Sequence, residues 1–173
     1  MRFVVITPGD GRDLVPWLGA VAPWADAVIL REPQASADEL TRWVDVVRRS
    51  GALAIRHART VAVEADGVHV PDGFVLPDGG VFGVSCHDRA GVLRALEAGA
   101  TYALLSPVFD PLSKPATHPA LGVDGFVQMA GDARVLALGG ITVERAEELA
   151  QRGFGVAVLG AVFGMQTAAG AGL

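Results

Sequence analysis

Four histidines, His57, His69, His87 and His118, are the side chains of this chain that titrate nearest neutral pH. Three of them close short apolar runs. The fourth lies on a proline-stiffened segment, Leu104 to Gly122, beside a lone lysine, Lys114. Each is able to act as an acid or base, or as a hydrogen-bonded structural residue. Their spacing contains no HxxxH or comparable ligand pattern, so no metal site is expected from them. Arg31 follows the run "AVIL" directly; a guanidinium there suits a carboxylate or phosphate, and the structural alternative is an ion pair with Glu32, Asp10 or Asp26. Two further runs stop in glycine, "LALGGIT" and "VLGAVFG". Gly139, Gly140 and Gly160 let backbone N–H groups approach an anion, and a short helix starting at Ala161 adds the positive end of its dipole. The alternative is that these glycines serve tight turns only.

The elements that would position these residues follow from a recurring unit, a helical pattern that closes on glycine and is followed by an aliphatic run. "VVRRSGALAI", "LEAGATYALL" and "AQRGFGVAVL" are copies of it. The runs do not alternate, as expected of strands buried on both faces of a parallel sheet. Eight such runs are present, near Phe3–Thr7, Ala27–Arg31, Leu53–His57, Gly67–Val70, Phe82–Ser85, Tyr102–Ser106, Val135–Leu138 and Val156–Leu159. Eight parallel strands predict a single α/β domain over residues 1–173, a (β/α)8 TIM barrel with chemistry at the carboxyl ends of its strands.

Ser36 and Glu39 form a capping box, and Ala37, Leu40, Trp43, Val44 and Val47 trace one apolar stripe behind it. Thr142 caps a second helix, with Val143, Ala146, Leu149 and Ala150 inward, and Asp88 caps a third that runs to Gly99. The connections after strands three and four, 58–66 and 71–80, are too short or too rich in proline and glycine for a full crossover helix. Reduced helices there would leave the middle strands uncovered. A second subunit, as in a homodimer, or the apolar tail "AVFGMQTAAGAGL" is expected to cover them.

A net charge of -5 and a pI near 5.3 leave no basic face for nucleic acid. No apolar run approaches the ~20 residues of a membrane helix, and the first run reads as a strand of a cytoplasmic protein. Cys86, the one cysteine, has no internal partner for a disulfide.

"AVILREP", "ADGVHVP", "GVSCHD", "LLSPVFDPLSKP", "ALGV" and "VLALGGITVERAEELAQRGFGVAVLGAVF", in this order, together resemble the thiamine phosphate synthase and TenI (thiazole tautomerase) superfamily. The resemblance implies a barrel that binds a thiazole phosphate, with its phosphate on Gly139, Gly140, Gly160 and Ala161. It places Lys114, near Ser113 and His118, on a loop that closes over the ligand, and Arg31 on an anionic group of it. Synthases of this superfamily carry an Asn-Asp pair after strand three and a Gln-Glu-Asp run after strand four, which suits the Mg²⁺ that their coupling reaction requires. Here those places read Arg56-His57-Ala58 and Pro71-Asp72-Gly73-Phe74, and Pro33 stands where synthases carry lysine.

The tautomerase needs no metal and no cofactor. Its usual histidine near the end of strand six is replaced by Ser106-Pro107, so His57 or His87, with Ser106 nearby and His118 in reserve, is expected to move the proton. The expected function is therefore metal-independent aromatisation of a carboxylated thiazole phosphate. The alternatives are a Mg²⁺-dependent thiamine-phosphate synthase, which joins hydroxymethylpyrimidine pyrophosphate to thiazole phosphate, and a phosphate-binding barrel without turnover.

Overall fold

The computed structural model describes residues 1–110 and 119–159; Ser113, Lys114, His118, Gly160 and Ala161 lie outside the described residues. Eight strands form a closed parallel barrel in chain order: β1 (Phe3–Ile6), β2 (Ala27–Leu30), β3 (Leu53–His57), β4 (Gly67–Val70), β5 (Phe82–Cys86), β6 (Tyr102–Leu105), β7 (Val135–Leu138) and β8 (Gly155–Val158). β8 pairs with β1, which closes the ring. Each strand matches an apolar run in the sequence to within one residue of its expected start and end. Long unbroken runs with glycine or polar stops are what a doubly buried parallel strand requires.

Side chains alternate across the barrel wall. Val4, Ile6, Ala27, Ile29, Ile55, Tyr102, Leu104, Leu136 and Ala157 fill the interior. Val5, Val28, Leu30, Ala54, Val70, Val84, Leu105 and Val135 point outward into the layer beneath the helices. Residues two positions beyond an interior side chain at the carboxyl end of a strand therefore face the mouth of the barrel.

Among the described residues five α-helices pack outside: α1 (Val15–Val21), α2 (Ala37–Arg49), α3 (Arg89–Glu97), α4 (Gly122–Ala130) and α5 (Val143–Gln151). The capping box of α2 is complete, because Ser36 accepts from the Glu39 amide and Glu39 from the Ser36 amide. Such a cap stabilises a helix by about 1 kcal/mol. The stripe behind it buries Leu40, Trp43, Val44 and Val47. Ala37, expected on that stripe, is exposed in the first turn. Asp88 accepts from the Gly91 amide and Thr142 from the Arg145 amide, as their positions predicted.

No helix follows β3 or β4 among the described residues, as expected. The apolar tail expected to cover these strands lies outside the described residues, and a covering second subunit is a proposal. The connecting loops supply cover of their own: Val63, Ala65 and Leu76 pack on the outer layer, and Ala54, Val70, Phe82 and Val84 are buried. Asp66 ties the first loop down by accepting from the Ala54 amide at 2.8 Å and from Arg48 at 2.9 Å. Val61, Phe74 and Val75 in these loops stay exposed, and a further apolar groove of about 630 Å³ lies among Phe3, Val143, Ala146, Phe154 and Val156. Val143, expected inward on α5, is 58% exposed beside that groove. No helix among the described residues is long and apolar enough to cross a membrane.

Candidate active site

The strand ends bring the expected residues to one rim. Thr7 follows β1, Arg31 follows β2, His57 ends β3, His87 follows β5, Ser106 follows β6, and Gly139 and Gly140 follow β7. Register makes neighbours of several of them: Leu30 pairs with Arg56, which sets Arg31 alongside His57, and His57 itself pairs with His69.

Arg31 is exposed, but its backbone is fixed, since its amide donates to Thr7 Oγ1 at 2.8 Å. Glu32, only 2% exposed, turns the other way and accepts from the Gly9 amide at 2.7 Å. Asp26 is occupied at the opposite end of the barrel by the Arg2 and Phe3 amides, and Asp10 by Arg12. The structural alternative for Arg31 therefore falls away: among the described residues no carboxylate forms an ion pair with it.

His57 is buried and receives the Arg59 amide on Nδ1 at 3.2 Å. A nitrogen that accepts carries no proton, so the neutral ring holds its proton on Nε2. Burial, with the charges of Arg31, Arg59 and Arg56, pushes its pKa down to about 4. His57 is thus a hydrogen-bond donor through Nε2 at neutral pH, the acid side of the acid/base role expected of it. His87 has the opposite arrangement. Its Nδ1 lies 2.8 Å from the Ser106 carbonyl oxygen, which can only accept, so Nδ1 donates and the basic lone pair of the neutral ring is on Nε2. Of the two histidines expected to move a proton, His87 has the geometry of a base. Ser106 Oγ lies 3.5 Å from the same Nδ1.

Gly139 and Gly140 both adopt the left-handed conformation, with φ of 100° and 60°. A β-carbon at Gly140 would meet the Asp110 carbonyl at 2.4 Å, so the turn is pressed against the chain that leaves β6. Arg145, in the first turn of α5, donates to the Gly140 carbonyl at 2.5 Å and lies over the Phe109 ring at 4.3 Å. This half-buried cation beside the glycine turn was not singled out in the sequence, where it reads as an ordinary charge on the surface of a helix.

The interior below the rim holds a polar group around His69 whose other members, Ser85 and Tyr102, were also missed. Tyr102 Oη is 3.1 Å from His69 Nδ1, and His69 Nε2 is 2.9 Å from Ser85 Oγ. His57 and His69 place their ring centroids 5.9 Å apart. The signal was available, because Ser85 and Tyr102 stand two and four residues before the mouth residues His87 and Ser106, on the inward parity of β5 and β6.

A family model described as thiamine monophosphate synthase matches residues 3–162. The chain belongs to that family. Thiamine-phosphate synthases of Chloroflexus aurantiacus and Methanoregula boonei are 31% and 33% identical to it, over 83% and 84% of this chain and 74% and 76% of theirs. The structure of thiamine phosphate pyrophosphorylase from Pyrococcus furiosus superposes with a TM-score of 0.75 at 24% identity, covering 92% of this chain and 86% of that one. At that identity the likeness speaks for the fold, an eight-stranded α/β barrel. The resemblance carried by the motifs therefore holds for the family and for the fold, and the mouth described here is the strand-end face at which barrels of this type place their sites.

Proposed function

We propose that this member of the thiamine monophosphate synthase family joins hydroxymethylpyrimidine pyrophosphate to a thiazole phosphate to form thiamine phosphate. The observation that carries the reading is the family match over residues 3–162, together with relatives named thiamine-phosphate synthase at 31% and 33% identity. This ranks coupling ahead of the isomerisation expected from the sequence. The chain's own residues would divide the work by charge. Gly139 and Gly140, flanked by Arg145, receive the thiazole phosphate. Arg31 and the Nε2–H of His57 face the negative charge that gathers on the departing pyrophosphate.

Coupling by the family's synthases calls for Mg²⁺ on that pyrophosphate, and the donor set here does not suit it. Mg²⁺ takes hard oxygen ligands. His57 and Arg56 occupy the end of β3, and no three His, Cys, Asp or Glu side chains come together among the described residues. Asp72 is the carboxylate nearest the end of β4 in the chain. No step is assigned to a metal.

That same donor set favours a second reading, metal-independent aromatisation of a carboxylated thiazole phosphate. There Arg31 would hold the carboxylate, His87 Nε2 would take the proton and the Nε2–H of His57 would supply one. One assay separates the readings. The protein is incubated with pyrimidine pyrophosphate and thiazole phosphate in Mg²⁺, and separately with the carboxylated thiazole phosphate and a chelator. Thiamine phosphate in the first mixture supports coupling, and none there with aromatic product in the second overturns it in favour of isomerisation.

A further inference from the structure

Tyr102 is fully buried, His69 is 3% exposed, and Ser85 is the half-buried member of the group, on the inward side of β5 just below His87. Among the described residues the Tyr102 hydroxyl has one side-chain partner, His69 Nδ1, and the Ser85 hydroxyl has one, His69 Nε2. A neutral imidazole has one N–H and one lone pair, so the direction of the whole chain depends on which nitrogen holds the proton. Burial, aided by His57, holds the His69 pKa near 3, and burial raises that of Tyr102, so both side chains are neutral at physiological pH.

The two tautomers are not equivalent here. With the proton on Nδ1, the imidazole donates to Tyr102 Oη, and the phenol's own proton is left in a sealed apolar interior without an acceptor. With the proton on Nε2, Tyr102 donates to Nδ1, Nε2–H donates to Ser85 Oγ, and both buried protons are used. A buried donor without a partner is costly, so the second arrangement is the stable one. Ser85 then receives a hydrogen bond from below, and its own proton, which the other tautomer would engage on Nε2, is free to be donated toward the mouth. The ring of Tyr102 reaches this position only because residue 83 is glycine: a β-carbon there would lie 2.1 Å from Tyr102 Cζ.

We propose that Tyr102 and His69 are positioning residues that free the Ser85 proton for donation into the barrel mouth, so that this side of the site offers a hydrogen bond to a ligand atom that accepts, such as a phosphate or carboxylate oxygen. The inference deepens the reading above, because it takes the mouth as the ligand site. It adds a fixed neutral donor on the β5 side to the cations on the β2 and β7 sides. A neutral donor discriminates by hydrogen-bond direction, which a diffuse positive charge does not.

The test has two arms that fail separately. A long-range ¹H–¹⁵N correlation spectrum of the full ¹⁵N-labelled chain at neutral pH, with His69 assigned through His69→Gln, is expected to show the Nε2–H tautomer. An Nδ1–H tautomer, or a mixture, overturns the proposal whatever the protein catalyses. The second arm is calorimetric titration with thiazole phosphate. Ser85→Ala and Tyr102→Phe are each expected to weaken binding by roughly tenfold, the scale of one hydrogen bond to a charged group. The double variant is expected to bind no more weakly than Ser85→Ala alone, since the tyrosine acts through the serine. Additive losses would mean that Tyr102 only supports the fold, and would overturn the relay. His69→Gln, which keeps a donor and an acceptor, is expected to lose less affinity than His69→Leu; equal losses count against it. If the unmodified chain fails to bind thiazole phosphate, the ligand reading falls, and the tautomer spectrum still decides the relay.

Discussion

The ring of Tyr102 lies so close over Gly83 that the smallest side chain would overlap it, with the added carbon 2.1 Å from Cζ. Gly83 and Tyr102 are register partners on adjacent strands, so neither can withdraw without breaking the β5–β6 ladder. Gly83→Ala is therefore expected to destabilise the barrel by about 3 kcal/mol, the upper part of the usual range for overpacking a core. Urea unfolding of the variant measures this. A loss below about 1 kcal/mol would mean that the ring has room to shift.

Acid should weaken the fold through the two buried histidines. In the folded chain His57 titrates near 4 and His69 near 3, both below the ordinary histidine value of 6.5. Between those values the unfolded chain binds more protons than the folded one, so stability rises with pH through this window and levels off above it. The slope is expected to approach about 1.4 kcal/mol per pH unit for each histidine that stays neutral. Urea midpoints taken across the window, for the parent chain and for His57→Gln, should show a shallower slope in the variant. Parallel slopes would mean that His57 takes up a proton in the folded state without difficulty.

Arg31 is expected to bind an anionic group of the ligand. Arg31→Ala should weaken thiazole phosphate or pyrimidine pyrophosphate binding by about 1.5–3 kcal/mol, the range for a charge-assisted hydrogen bond. Lys114→Ala, on a segment outside the described residues, is expected to do the same. Calorimetric titration with each compound separately will show which anion Arg31 meets; unchanged affinity for both removes its role.

The glycine turn after β7 is best probed through its neighbour. A β-carbon at Gly139 would lie 3.1 Å from Pro107 Cα with φ at 100°, so enlarging that residue disturbs the loop as well as the ligand. Arg145→Gln keeps a polar amide on a shorter side chain and loses the charge. It is expected to raise the KM for thiazole phosphate by roughly tenfold with little change in Tm, as removal of one charge-assisted contact would. A variant with unaltered KM places the phosphate elsewhere.

Much of the architecture could be read in advance because it is written in local patterns. Eight runs buried on both faces have no polar alternation to disguise them, and the caps at Ser36, Asp88 and Thr142 use side chains that bond within three residues. What could not be read is long-range. His69 meets Ser85 across 16 positions and Tyr102 across 33, and only closure of the ring brings them together. The roles of His57 and His87 also depended on contacts the sequence does not display. Which nitrogen of each ring holds the proton follows from the Arg59 amide in one case and the Ser106 carbonyl in the other. Val143 fitted an inward stripe and is exposed, because periodicity marks a face without saying how far the neighbouring elements extend over it.

The pairing of β1 with β8 has a bearing beyond the site. A sheet that ends in a free margin offers a template onto which an extended segment of another molecule can add, and evolution must guard it. Here every ladder is consumed by the same chain, so a barrel with loops in place of helices after β3 and β4 stays resistant to strand exchange, and trimming its outer layer does not open a path to fibrous assembly.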